Sequence, residues 1–235
     1  MISRGLPIKL SLRNFEHHGK RLLVEQLQSR RVDVVFDIGA NSGQFAARLR
    51  RAGYEGRIVS FEPLLRPFSV LESKASEDPL WDCKRCALGE VDGEISINVA
   101  GNAGKSSSVL PMMKNHQDAD PEANYIGAEQ VPIYRFDSIA QEFVRPADVL
   151  FLKIDTQGFE KQVLAGSQAM LSAGCVGMQL ELSILPLYEG GMLIREALDL
   201  AYSMGFVLTG LQPGFTDLRN GQMLQADGIF FREDG

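Results

Sequence analysis

Residues 34–44 read VVFDIGANSGQ, from Val34 to Gln44. An apolar run meets an acid at Asp37, and Gly39 and Gly43 flank Asn41. The apolar run suits a short buried strand over Val32–Asp37, and the glycines suit a turn into a helix over Ser42–Ala52. A strand, tight turn and helix in this order open many nucleotide-binding α/β folds. The glycine register then decides which nucleotide fits. A dinucleotide turn needs Gly-x-Gly-x-x-Gly, because its second glycine lets the backbone approach a pyrophosphate. Counted from Gly39, those three positions hold Gly39, Asn41 and Gln44, so two fail. Asp37 would also repel a pyrophosphate, and the Gly-Lys-Ser/Thr of a phosphate-cradling loop is absent.

A ligand without phosphates fits better. S-adenosylmethionine carries a sulfonium cation, an amino-acid tail and a ribose, and an acid beside a cation is favourable. Gly39 would let the backbone approach this ligand without a Cβ. Asn41 can donate and accept hydrogen bonds, and Gly43 can ease packing at the helix start. Glu62 ends the next apolar run, in SFEP, where a carboxylate can accept both ribose hydroxyl hydrogens. Dinucleotide and methyl-donor folds share that acid, so Glu62 indicates a nucleoside and the turn chooses which one.

Working outward, strands are expected at Arg57–Phe61, Trp81–Leu88, Glu94–Val99, Val131–Phe136, Val149–Ile154 and Val176–Leu182. Helices are expected at Leu64–Ser76, within 158–173 and at Ile194–Met204. Phe206–Leu211 and Gly228–Phe231 can close the sheet as an antiparallel pair. Alternating strands and helices with continuous apolar strands argue a doubly wound α/β sheet covered on both faces. Ligands of such sheets sit at the C-terminal strand ends. Asp37, Glu62, Asp155 and Glu181 all fall there and should converge on one rim. The polar span Gly101–Glu129 reads as a long loop, and long loops in compact domains are usually functional or disordered. Asp137 is placed to cap a helix over 138–143.

The chain has 235 residues, 45% of them hydrophobic, which suits one sizeable α/β domain. No apolar run approaches the ~20 residues of a membrane span, and no secretory signal is visible. The net charge of −6 argues against general polyanion binding, and so against an RNA substrate. The first 31 residues are an exception, with Arg4, Lys9, Arg13, Lys20, Arg21, Arg30 and Arg31 against Glu16 and Glu25. They read as one or two amphipathic helices with Leu22, Leu23 and Leu27 on one face. Their basic side is either a solvated face or a patch for an anionic membrane surface or acidic partner. Three cysteines, Cys83, Cys86 and Cys175, suggest a reducing compartment such as the cytoplasm. Cys83-x-x-Cys86 lacks a second ligand pair for zinc.

Further motifs follow in order: CALG at Cys86–Gly89, KSSS at Lys105–Ser108 and KIDTQGFE at Lys153–Glu160. With VVFDIGANSGQF and SFEP, they resemble the FkbM-type S-adenosylmethionine-dependent methyltransferases over roughly residues 32–232. The resemblance implies a class I Rossmann-like methyltransferase fold: a seven-stranded, mostly parallel sheet with its last strand antiparallel. It also implies methylation of a hydroxyl oxygen in a sugar, glycolipid or other natural product. Carried over position by position, Asp37, Gly39, Ala40, Asn41 and Gly43 would face the donor's methionine side. Glu62, followed by Pro63, would hold the ribose, and Cys86, Ala87 and Leu88 would border the adenine. Ser107 and its neighbours would lie near the donor and the substrate entrance, and Asp155 would face the transferred methyl. The family often has Glu where this chain has Gln157, which weakens any role needing two acids in that segment.

An alcohol is a weak nucleophile until a base takes its proton. Asp155 is the first candidate base or orienter and Glu181 the second; each could instead bind the donor or a backbone amide. Glu160 suits local capping or packing, and His116, in the long loop, could swing inward as a base, though a lone loop histidine is usually solvated. Asp155 with Glu181 could hold Mg²⁺, a possibility the sequence does not favour. Leu187, Tyr188 and Met192 could line an apolar entrance or pack in the core. The expected organisation is a helical extension over 1–31 and a methyltransferase domain over 32–235, with a substrate loop near 100–130. The competing readings are a donor-binding protein without transfer activity and an NAD-dependent oxidoreductase.

Overall fold

The computed structural model describes residues 22–233. The N-terminal charges Arg4, Lys9, Arg13, Lys20 and Arg21 therefore lie outside the described residues. Residues 22–29 form helix α1. Leu23, Val24 and Leu27 are buried, while Leu22 turns outward. Three apolar side chains within one narrow arc of a 3.6-residue helix exclude Leu22 from that stripe. They pack with Val35, Phe151, Ile229 and Phe231, so α1 shares the core of the domain that follows.

Strand β1 (Val34–Ile38) runs through the turn into helix α2 (Gln44–Arg51), then β2 (Arg57–Phe61), α3 (Leu65–Ala75) and β3 (Trp81–Lys84). β4 (Ala87–Gly89) and β5 (Gly93–Ala100) follow, then α4 (Lys114–Ala119), β6 (Tyr125–Arg135) and α5 (Phe136–Ile139). The second half comprises β7 (Leu150–Ile154), α6 (Glu160–Ala165), α7 (Gln168–Ala173), β8 (Cys175–Ser183) and α8 (Ile194–Ser203). It closes with β9 (Phe206–Pro213), the short pair β10 (Thr216–Asp217) and β11 (Gln222–Met223), and β12 (Gln225–Arg232).

Seven strands form the main sheet in the order β3-β2-β1-β7-β8-β12-β9. All neighbours are parallel except β12, which is antiparallel to both β8 and β9. Every residue of β1 and β7 is buried, as strands covered on both faces require. Val34, Phe36 and Ile38 enter the core on one face and Val35 the core on the other. The register sets Asp37 between Ser60 and Lys153, and Glu181 opposite Asp227. Chain order reverses between β1 and β7, where a ligand crevice opens at the carboxyl ends.

Three further expectations change. The strand expected over Trp81–Leu88 divides: β3 stays in the main sheet, and β4 joins β6 and β5 in a second sheet. The chain leaves the main sheet at Arg85, which donates to Pro63 O and pairs with Glu129. The span expected to be loop to Glu129 is partly strand, since β6 begins at Tyr125 and pairs antiparallel with β5. Backbone bonding there needs no apolar alternation, so Gly127 and Ala128 hid it. Asp137 lies inside α5, and its carboxylate accepts from Ala169 N and Met170 N, at 3.1 and 2.9 Å. It therefore caps α7 rather than its own helix.

Candidate active site

A cavity of about 530 Å³ occupies the crevice at the carboxyl ends of β1, β2 and β7, a size that suits a small organic ligand. Of the donor residues expected from sequence, Gly39, Ala40, Asn41, Glu62, Pro63, Cys86, Ala87, Leu88, Ser107 and Asp155 line it. Asp37 and Gly43 do not. Glu181 joins Asp155 on its wall.

The turn after β1 is built by close approach. Gly39 has φ +76, and a Cβ there would lie 1.9 Å from the Asp155 carbonyl oxygen. Glycine is thus demanded by the neighbouring strand end rather than by a ligand. A Cβ on Gly43, also at φ +76, would meet the Trp81 ring at 2.9 Å, so this glycine seats helix α2. Asn41 takes a left-handed φ of 46, accepts from Gln44 Nε2 at 2.9 Å and donates to Ala103 O at 3.3 Å. Those bonds tie the turn to the 101–107 segment, where Ser107 Oγ accepts from Ala100 N at 2.9 Å.

Glu62 is buried, with one oxygen accepting from Asn41 N at 2.8 Å and the other from Leu64 N at 2.9 Å. Burial pushes its carboxyl up to about 7 against the pull of those two amides. Each oxygen keeps a lone pair for a further donor such as a ribose hydroxyl. The adjoining wall of Cys86, Ala87 and Leu88 is buried and uncharged, as a purine needs. Glu62 and this wall therefore suit the nucleoside end of S-adenosylmethionine.

Asp37 sits beneath the cavity, fully buried, with Oδ1 3.0 Å from Lys153 Nζ. The contact is an ion pair by distance, and neither Asp37 oxygen has hydrogen-bond geometry. Lys153 also donates to Gly39 O at 3.0 Å and lies 3.5 Å from Asp155 Oδ2. Burial works against its charge, but Asp37 and Asp155 outweigh burial and hold the ammonium above its ordinary range. Asp37 thus neutralises a buried lysine that braces the turn.

The acids of the other wall meet around Gln157. Its Nε2 donates to Asp155 Oδ1 at 2.8 Å and lies 3.0 Å from both oxygens of Glu181. Its Oε1 accepts from Tyr188 Oη at 2.7 Å, which fixes the amide orientation. Gln157 has φ +55, and Ser108 Oγ donates to its carbonyl at 2.7 Å. Burial, then the carboxylates of Asp155, Glu160 and Asp227, push Glu181 well above the usual carboxylate range. Burial and Asp155 raise Asp227 to about 6. An amide between Asp155 and Glu181 takes the position an Mg²⁺ ion would need. Among the described residues no group of three or more His, Cys, Asp or Glu side chains is arranged to hold a metal ion.

Glu160 is buried and accepts from Thr156 N and Gly158 N, at 2.8 and 3.1 Å, so it caps the turn after β7. His116 is not solvated: it is 2% exposed, 3.1 Å by Nε2 from Ser106 Oγ, and lines the cavity. Burial lowers it to about 4, leaving a neutral ring. Leu187 and Met192 are core residues; Tyr188 is buried too, yet reaches the site through Gln157.

The family model described as the methyltransferase FkbM domain matches residues 37–208. The chain belongs to that family. Two curated relatives are similar at a distance: 2-O-methyltransferase NoeI of Sinorhizobium fredii is 26% identical over 182 residues, 74% of this chain and 73% of NoeI. Methyltransferase 1 of Beauveria bassiana is 24% identical, over 56% of this chain and 57% of its own. Magnesium protoporphyrin IX methyltransferase of Synechocystis, solved with bound S-adenosylmethionine, superimposes with TM-score 0.50 at 11% identity, covering 98% of this chain and 87% of its own. The methyltransferase FkbM of Methylobacillus flagellatus gives TM-score 0.49 at 15% identity, covering 84% of this chain, which spans 43% of its length. The fold is that of class I methyltransferases, and the family is one of S-adenosylmethionine-dependent methyltransferases.

Sequence reasoning missed the roles of Lys153 and Gln157 in this FkbM domain, and it named Tyr188 only for an apolar entrance or the core. Lys153 had a signal: a charge inside the buried run VLFLKI needs a buried counter-charge. The Tyr188–Gln157 bond had none, since it exists only after the chain has folded.

Proposed function

We propose that this chain transfers the methyl group of S-adenosylmethionine to a hydroxyl oxygen of a sugar, glycolipid or related natural product. The observation that carries the reading is the Asp155 carboxylate on the cavity wall, held by Gln157 beside Glu181. The name of NoeI, a 2-O-methyltransferase, supports oxygen as the acceptor atom.

When bound, S-adenosylmethionine supplies the methyl: the acceptor oxygen bonds to the methyl carbon while the carbon–sulfur bond breaks and its electron pair stays on sulfur. Asp155 takes the hydroxyl proton as that bond forms. Gln157 keeps the carboxylate aimed at the cavity, so little reorientation is needed. Glu181 accepts from the same Gln157 amide and steadies it, and its burial disfavours a second negative charge beside Asp155. Glu62 accepts the ribose hydroxyls, with Pro63 beside it. Cys86, Ala87 and Leu88 border the adenine; Gly39, Ala40, Asn41 and Ser107 surround the methionine side. Asp37 and Gly43 act indirectly, through Lys153 and Trp81.

No helix among the described residues is long and apolar enough to cross a membrane. We place the reaction in the cytoplasm on a small-molecule acceptor. The test is a labelled-methyl transfer screen against sugars, glycolipids and polyketide alcohols, read by mass spectrometry. Titrations with S-adenosylmethionine and NAD accompany it. Methyl-donor binding with a methylated hydroxyl product supports the reading. Binding of NAD alone removes it, and donor binding with no product on any hydroxyl leaves a binding protein.

A further inference from the structure

We propose that Arg48 holds the carboxylate of the donor's methionine moiety and so sets a preference for a methyl donor that carries that group, an inference that rests on the donor half of the reading above. S-adenosylmethionine brings two cations, a sulfonium and an ammonium, and one anion, its carboxylate. Acids stand ready for the cations on the cavity wall, Asp120 and Asp155 among them. The carboxylate needs a positive partner, and none of Gly39, Ala40, Asn41 and Ser107 supplies one. The lysines and arginines that line the cavity are Arg48, Lys105 and Lys153. Lys153 is already committed, buried between Asp37 and Asp155 at 3.0 and 3.5 Å. Lys105 is exposed, and water and salt screen an exposed charge.

Arg48 differs from its neighbours on α2. Arg50 pairs with Asp78 at 2.7 Å and donates to the carbonyls of Tyr54 and Gly56, while Arg51 donates to Ala47 O at 3.1 Å. Both hold the fold. Arg48 is half-buried and makes no hydrogen bond or ion pair among the described residues. Burial and then Asp155 raise Asp227, and the charges of Lys153 and Arg48 pull it back in part, but Arg48 stands beyond ion-pair distance from it. The Arg48 guanidinium lies 6.0 Å from the centroid of the Phe45 ring, which also lines the cavity and steadies it. Helix geometry aims this cation at the methionine end. Gln44 and Arg48 are four residues apart and share one face of α2. Gln44 Nε2 donates to Asn41 Oδ1 at 2.9 Å, which sets that face against the turn after β1. A helical side chain covers the turn N-terminal to its own Cα, so Arg48 reaches back toward Asn41. Its planar fork matches a carboxylate with two parallel N–H donors, which an ammonium cannot do.

The test is titration calorimetry on the full chain with S-adenosylmethionine and with decarboxylated S-adenosylmethionine. The second ligand keeps the sulfonium, amine, ribose and adenine and lacks only the carboxylate. Wild type should bind the intact donor about ten- to hundredfold more tightly. Arg48→Ala should erase that preference: intact-donor affinity falls by the same factor, and decarboxylated-donor affinity stays within about twofold. Arg48→Gln, which keeps more of the side chain on the Phe45 ring, should lose most of the preference as well. Arg48→Lys should recover part of it, and Lys105→Ala should leave it in place. Equal affinity of wild type for the two ligands overturns the proposal, as do Arg48 variants that keep the preference or weaken both ligands alike. A preference that vanishes with Lys105→Ala instead gives the carboxylate to Lys105 and overturns it too. No binding of either ligand by wild type removes the donor reading and this inference with it. The expected preference without a methylated hydroxyl product keeps the role of Arg48 and removes the transfer reading alone.

Discussion

The two sides of the cavity are built differently. The donor side comes from strand ends and the turns that follow them: Gly39–Asn41 after β1, Glu62 after β2, and Cys86–Leu88 into β4. Its contacts are largely backbone, as in Glu62 accepting from two main-chain amides. The opposite side is assembled from side chains far apart in sequence: Asp155, Gln157, Glu181, Tyr188, His116 and Phe215. A backbone-built side tolerates side-chain changes and fails on backbone strain. A side-chain-built side does the opposite.

The largest expected effect tests the side-chain half. Asp155→Asn should lower kcat by about 10²–10⁴-fold while leaving donor affinity nearly unchanged, measured by steady-state kinetics and titration calorimetry. Turnover near wild type would take Asp155 out of the proton path. Gly39→Ala tests the backbone half: with a Cβ 1.9 Å from a carbonyl oxygen at φ +76, it should destabilise the fold by about 2–3 kcal/mol or more. A denaturant melt checks this, and an unshifted midpoint would show that β7 can withdraw from the turn.

Gln157→Glu sharpens the contrast. A third carboxylate between Asp155 and Glu181 replaces donors with acceptors, and like charges disfavour ionisation. The acid limb of the kcat–pH profile should move to higher pH, with roughly tenfold lower kcat at pH 7. An unmoved limb would make Gln157 a purely structural residue.

The smallest effect belongs to Glu62. Its carboxyl is raised to about 7 in the folded chain, and ribose hydroxyls favour the charged form. Donor affinity should strengthen as pH rises through about 7, by less than tenfold per unit. The stability term has the opposite sign. A carboxyl raised by folding stabilises most below its unfolded value near 4.5, and that contribution is lost as pH rises toward 7. Glu62→Gln should flatten both slopes, and a slope that survives it belongs to another group.

Legibility in the sequence follows the same division. β1, β2, β7 and β8 were readable because strands buried on both faces are continuous apolar runs, and the acids at their ends marked the rim. Leu22 and Asp137 were misplaced because orientation depends on what each element packs against. Asp137 caps α7, an element that its local sequence does not include. β6 was read short because strand pairing is made by backbone groups and leaves no trace in Gly127 and Ala128. His116 was read as solvated because a histidine in a polar stretch looks exposed until Tyr188 and Phe215 close around it.

The sequence by itself determined the methyltransferase family and the rim where the strand-end acids gather, because the glycine register and strand-end acids act through local backbone geometry. Only the tertiary structure decided what each acid does. It buried Asp37 against Lys153, set Gln157 between Asp155 and Glu181, and left one nitrogen of His116 without a hydrogen-bond partner. Those outcomes depend on distance and burial between segments remote in the chain. Burial decides whether a carboxyl keeps its proton, and no local pattern encodes it.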